Sequence, residues 1–119
     1  MTNPTSVGRI LRYAIVMGVC AGPALADTTC IFDTECLEGE ACADSGFTLS
    51  IESGGIVTDA ETIPVADTLT AGGATAVSGA SGGGFHLISI AEGGAARYSA
   101  HLPAAEMSIL YIGTCTEAG

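Results

Sequence analysis

Short runs in which every second residue is apolar dominate this chain after its first third. Phe47-Thr48-Leu49-Ser50-Ile51-Glu52 sets Phe, Leu and Ile on one face and Thr, Ser and Glu on the other. A period of two is the mark of a strand with one wet face. Gly54-Gly55 then reads as a turn. Residues 61–70 predict one broken strand or two short ones. Pro64 within them has no N–H to give to a ladder, so an edge or a bulge is expected there. Ala74 to Ser78 is a further candidate strand, and Phe85 to Ala91 is a clear one, partly apolar on both faces. Glu92-Gly93-Gly94 reads as a hairpin turn into Ala96–Leu102, and Pro103-Ala104-Ala105 turns the chain into Met107–Cys115. No sustained helical period follows residue 26, and Glu35 to Ala43 allows only one short helical turn. The expected fold is all-β: an antiparallel meander barrel or sandwich of six to seven strands.

The N-terminus has a different texture. Arg9 and Arg12 precede the uncharged apolar run Tyr13–Cys20, Pro23 breaks it, and Ala24-Leu25-Ala26 supplies small residues before Asp27. That is the layout of a secretory signal peptide, expected over 1–26. The apolar run falls short of the ~20 residues that span a bilayer. Residues 27–119 are then one small exported β domain opening on an acidic, cysteine-rich loop, with no membrane attachment after cleavage.

Cys30, Cys36, Cys42 and Cys115 remain in that domain. An even number of cysteines in a short exported chain reads as two disulfides. A meander barrel makes its first and last strands neighbours, so a Cys30–Cys115 bridge would tie the seam and Cys36–Cys42 would pin the acidic loop. This is one of three pairings the sequence allows.

Charge changes the picture further. Once Arg9 and Arg12 leave, Arg97 is the single base facing 13 acids. Such a surface repels nucleic-acid phosphates and anionic lipid. The expected partner is a basic envelope protein, docked on Asp33, Glu35, Glu38 and Glu40. Arg97 and Tyr98 are added as interaction residues because Arg and Tyr are enriched at interfaces. Arg97 has a plainer reading too, as a partner for Glu92 or Glu106.

Candidate chemistry is sparse. No cysteine pair has zinc spacing, and residues 33–44 fail the calcium-loop pattern at Leu37, Glu38 and Asp44, so no metal or cofactor is expected. Gly79-Ala80-Ser81-Gly82-Gly83 matches the Gly-x-Ser-x-Gly elbow of hydrolases in letters only. It precedes another Gly and a strand where the elbow needs a helix, so it reads as a flexible loop. His86 and His101 fall on expected strands without a nucleophile at defined spacing, and Tyr98 and Tyr111 on consecutive strands are positioned for a cross-strand pair. No enzyme activity is expected.

The segments Ala96–Leu102 and Tyr111–Cys115, with the Cys36/Cys42 acidic region, resemble small exported alphaproteobacterial proteins of unknown function. Gly94-Ala95-Ala96-Arg97-Tyr98-Ser99 also shows a weaker similarity to the MliC-type inhibitors of c-type lysozyme, which are small periplasmic barrels. That family's inhibitory serine falls on Gly94, and its Trp-x-Lys-Gly stretch is absent. The functional expectation is a periplasmic binding or inhibitor-like module, with a structural envelope module as the alternative.

Overall fold

The computed structural model describes residues 27–117, so the expected signal peptide lies outside the described residues. Eight strands follow in order: β1 (Thr28–Leu37), β2 (Ala43–Glu52), β3 (Gly55–Val57), β4 (Thr62–Ala71), β5 (Ala74–Ser81), β6 (Gly84–Ile90), β7 (Ala95–Leu102) and β8 (Met107–Glu117). Each pairs antiparallel with the next, and β8 returns to pair with β1, closing a barrel. A single 3-10 turn, Pro103–Ala105, links β7 to β8.

Two expectations need correction. The barrel has eight strands, not six to seven. The acidic cysteine-rich segment is only in part a loop and forms no helical turn: residues 28–37 are β1, and a short connection over 38–42 leads into β2. The alternation in Thr28-Thr29-Cys30-Ile31-Phe32 is real, but its colours are partly inverted. Polar Thr28 is buried and apolar Ile31 is exposed, so hydropathy alone hides the period of two. A bulge between Phe32 and Thr34 then resets the register. The other extra strand, β3, is three residues long and begins at Gly55, the second residue of the expected Gly54-Gly55 turn.

Inward positions build one core of Phe32, Leu49, Ile51, Ile56, Ile63, Val77, Ile88, Ala96, Tyr98 and Ala100. Each large apolar side chain so buried contributes roughly 1.5–3 kcal/mol. An eight-stranded barrel is just wide enough for side chains to fill it. Pro64 lies in β4, and the expected bulge falls beside it, between Val65 and Asp67. Gly72 and Gly73 join β4 to β5 with φ of 59° and 86°. Two positive values in a two-residue loop make a turn that matches strand twist and suits glycine. Gly113 answers a different need. It lies opposite Phe32, and a Cβ there would strike the Ile31 carbonyl oxygen and sit 2.6 Å from the Phe32 Cα.

Of the three disulfide pairings open to the sequence, the structure has Cys30–Cys115 and Cys36–Cys42. Cys30 and Cys115 are register partners of β1 and β8, so the first bridge lies across the closing seam. The second closes the β1–β2 hairpin. Both bridges point to an oxidising compartment outside the cytoplasm.

Candidate functional site

An up-and-down barrel sends its β1–β2, β3–β4, β5–β6 and β7–β8 connections to one end. That end holds the polar cluster of the molecule. Tyr98 (β7) and Tyr111 (β8) are register partners, and their rings stack with centroids 5.4 Å apart, as the sequence leads one to expect. Phe47 stacks on Tyr111 at 4.7 Å and on Tyr98 at 5.8 Å, while Phe32 closes the group from below. The aromatic bodies belong to the core, and their hydroxyls reach the mouth.

Two hydrogen-bonded lines start from these hydroxyls. Tyr111 Oη donates to Glu35 Oε2 at 2.9 Å. Tyr98 Oη lies 2.8 Å from His86 Nδ1, and His86 Nε2 lies 3.2 Å from Ser81 Oγ. Ser81 Oγ in turn donates to Glu61 Oε2 over a long 3.4 Å. Proton counting sets the direction. Ser81 has one proton and gives it to the carboxylate, so it must accept from His86 Nε2–H. Nδ1 is then bare and accepts from Tyr98. The chain Tyr98→His86→Ser81→Glu61 satisfies every group with a neutral imidazole. In this state Ser81 accepts a hydrogen bond from its histidine instead of donating one to it, as an activated nucleophile would.

Burial supports the neutral imidazole. His86 is 7% exposed, and desolvation lowers its pKa below the ordinary value, against an opposing pull from Glu61. Tyr98 is pushed up to about 12 by burial and then by the Glu61 charge. Tyr111 also rises to about 12, through burial and its bond to Glu35. Both phenols are uncharged donors at neutral pH.

Glu61 is presented by a local device. The Thr58 hydroxyl donates to the Glu61 carbonyl and accepts from the Ala60 and Glu61 N–H groups, and the Thr58 N–H also reaches the Glu61 carbonyl at 2.9 Å. This threonine turn fixes the β3–β4 loop over the mouth. Across the opening, Glu38 accepts from both the N–H and the hydroxyl of Ser108, clamping the β1–β2 hairpin to β8.

The residues expected to dock a partner are therefore not one patch. Asp33 sits exposed at the β1 bulge, away from the loop end. Glu35 is half-buried and bonded to Tyr111, Glu38 is exposed but tied to Ser108, and Glu40 is exposed. Tyr98 is buried inside the barrel at 5% exposure and offers nothing to a macromolecular surface, which corrects its place among the interaction residues. Arg97 is exposed on the outer wall of β7. Neither Glu92 nor Glu106 is bonded to it, and Glu106 lies past the opposite end of that strand. His101 is exposed on the outer face. Among the described residues no group of His, Cys, Asp or Glu is arranged to hold a metal ion.

Sequence reasoning missed the Ser81–His86–Tyr98 line and Glu61. The signal was partly present, since Ser81 and His86 lie on either side of Gly82-Gly83-Gly84: the hairpin pairs Ser81 with Gly84 and Gly79 with His86, which makes Ser81 and His86 diagonal neighbours on one face. Their joining to Glu61 crosses elements and has no local trace.

The fold and site define a small, disulfide-stapled antiparallel barrel with a polar mouth at one end. Comparison with protein-family models, with characterised proteins and with solved structures finds no match to this chain.

Proposed function

We propose that the protein is an exported binding or inhibitor-like module, acting in the periplasm or outside the cell, that engages a basic partner through the loop end of the barrel. The observation that carries this reading is the crowding of exposed acids at the loop end, six of them against four (Asp27, Glu52, Glu92 and Glu117) at the other end. The β1–β2, β3–β4 and β7–β8 connections and their flanking residues bring Glu38, Glu40, Asp44, Asp59, Glu61 and Glu106 to one end, all exposed. Strands β5 to β8 carry no acid before Glu117. A concentrated field of one sign steers association with an oppositely charged surface. An interior packed with apolar side chains, under a wall bearing exposed Thr29, Thr48, Thr62, Ser89, Thr114 and Thr116, is the reverse of a transmembrane barrel and supports release from the membrane.

The test is capture from an envelope extract of the producing cell, with elution in rising salt. The oxidised domain and its Glu40→Gln/Asp59→Asn/Glu106→Gln variant are run side by side. A basic protein held by the parent, released at moderate salt and lost with the variant, is the expected result. Identical, salt-resistant capture by both refutes acidic docking. A second reading, a structural envelope module with no discrete ligand, is favoured by the exposed Phe85 and Leu87 on one strand of the wall. It predicts salt-insensitive self-association.

A further inference from the structure

The outer wall holds a second feature, unrelated to the acidic end. A register row crosses four ladders there: Leu69 pairs with Ala76, Ala76 with Ser89, Ser89 with Arg97, and Arg97 with Ile112. Leu69 stands at one end and Arg97 beside Ile112 at the other, with the small Ala76 and Ser89 between them and Ala95 extending the floor. The result is an open trough of about 500 Å³. Pockets for small organic ligands run from ~300 to ~1,000 Å³ and are mostly apolar with a few placed polar groups. This one has apolar walls and one charged group, Arg97.

Arg97 is the sole cation among the described residues, and no carboxylate pairs with it there. A guanidinium free of acids in a chain so rich in them is a specific placement. The four strands around it, β5 to β8, have no acid until Glu117. Charge complementarity therefore selects an anionic head, and the alanine floor selects an apolar body. The strongly acidic remainder of the surface turns away polyanions and anionic bilayers. We propose that the trough binds a small monoanionic amphiphile, with an aliphatic chain along the Leu69–Ala76–Ile112 surface and a carboxylate paired in forked geometry with Arg97.

Dodecanoate, kept below its aggregation limit, is the probe. Calorimetry measures affinity, and methyl NMR shifts of Ala76, Ala95 and Ile112 report the location. Dodecyltrimethylammonium has the same chain with the opposite charge, and acetate is the head alone. Saturable one-to-one binding of dodecanoate, with shifts confined to the trough and neither control binding, is expected. Arg97→Gln, at an exposed position that leaves the core intact, should weaken it roughly ten- to hundredfold, the range of a hydrogen bond to a charged group. Ala76→Phe should abolish binding by filling the floor. Loss of less than twofold in Arg97→Gln overturns the proposal. So do equal binding of the ammonium amphiphile, shifts mapping elsewhere, the absence of any binding, and a self-associated protein whose trough takes up no probe.

Discussion

The two disulfides should differ sharply in what they contribute to stability, and their loop lengths say by how much. Cys30 and Cys115 are separated by 85 residues in sequence, Cys36 and Cys42 by 6. A cross-link stabilises mainly by removing loop-closure entropy from the unfolded chain, which gives about 4.6 kcal/mol for the long loop and about 2.2 kcal/mol for the short one. Replacing both members of each pair by alanine tests this. The gap should widen beyond the entropic difference of about 2.4 kcal/mol, because Cys30 is 0% and Cys115 6% exposed and their sulfurs leave a cavity in the core. Cys36 is half-exposed and Cys42 exposed, so the hairpin bridge adds no such loss. Small domains hold only ~5–15 kcal/mol in total, so the seam variant should be marginal and the hairpin variant comfortably folded. Guanidinium unfolding of the oxidised parent and the two double variants measures the order, with sulfate added to keep the seam variant folded. A hairpin variant as unstable as the seam variant refutes the reasoning.

The remaining predictions concern the mouth and the bulge. His86 has a lowered pKa in the folded state, so the unfolded chain binds its proton first. Stability is full above the unfolded value of 6.5 and falls as pH drops through 6.5 and below. Denaturant midpoints between pH 7.5 and 5.5 should fall for the parent and flatten for His86→Gln; parallel curves would exclude the histidine as the cause. Tyr98→Phe, which strips the donor from buried His86 Nδ1, should cost about 1–2 kcal/mol in the same assay at pH 7.5. Gly113→Ala should cost about 2–3 kcal/mol, because its Cβ meets backbone of β1 that cannot rotate away. A neutral effect on the thermal midpoint would show that the β1 bulge gives way freely.

How much of this was legible in the sequence follows from where the two-residue period keeps its usual colours. Strands β2 and β7 put apolar residues inward and polar ones outward for most of their length, and the alternation reveals them; β6 keeps the period but sends Phe85 and Leu87 outward and His86 inward. β1 does not: Thr28 is buried, Ile31 is exposed, and Glu35 turns inward to meet Tyr111. An inward glutamate is readable only when Tyr111 on the last strand is known to oppose it, and that pairing spans 76 positions. The trough was hidden for another reason. Leu69, Ala76, Ser89, Arg97 and Ile112 come from five strands, and only the bulge at Val65–Asp67 sets Leu69 in their row. A bulge of one residue exchanges the faces of everything after it, and nothing in the sequence around Ala66 fixes its position to that precision.

The described residues hold 13 acids and a single Lys or Arg, Arg97, so their carboxylates are satisfied without cations, and the way this is done bears on function. Tyr111 donates to Glu35, Ser108 donates twice to Glu38, Ser81 to Glu61, Ser50 to Glu52 at 2.6 Å, Thr34 to Asp33, and the Thr68 N–H to Asp67. All these donors are neutral. A lysine in their place would orient a carboxylate and cancel its charge together; a hydroxyl or an amide orients it and leaves the charge intact. Holding Glu38 and Glu61 in place on opposite sides of the mouth also removes much of the side-chain entropy that a partner would otherwise have to freeze. The acidic end is thus ordered in advance and electrically uncancelled, a combination that costs stability through self-repulsion. A basic surface would offset that cost, which is the physical ground for proposing this end as the one that meets a partner.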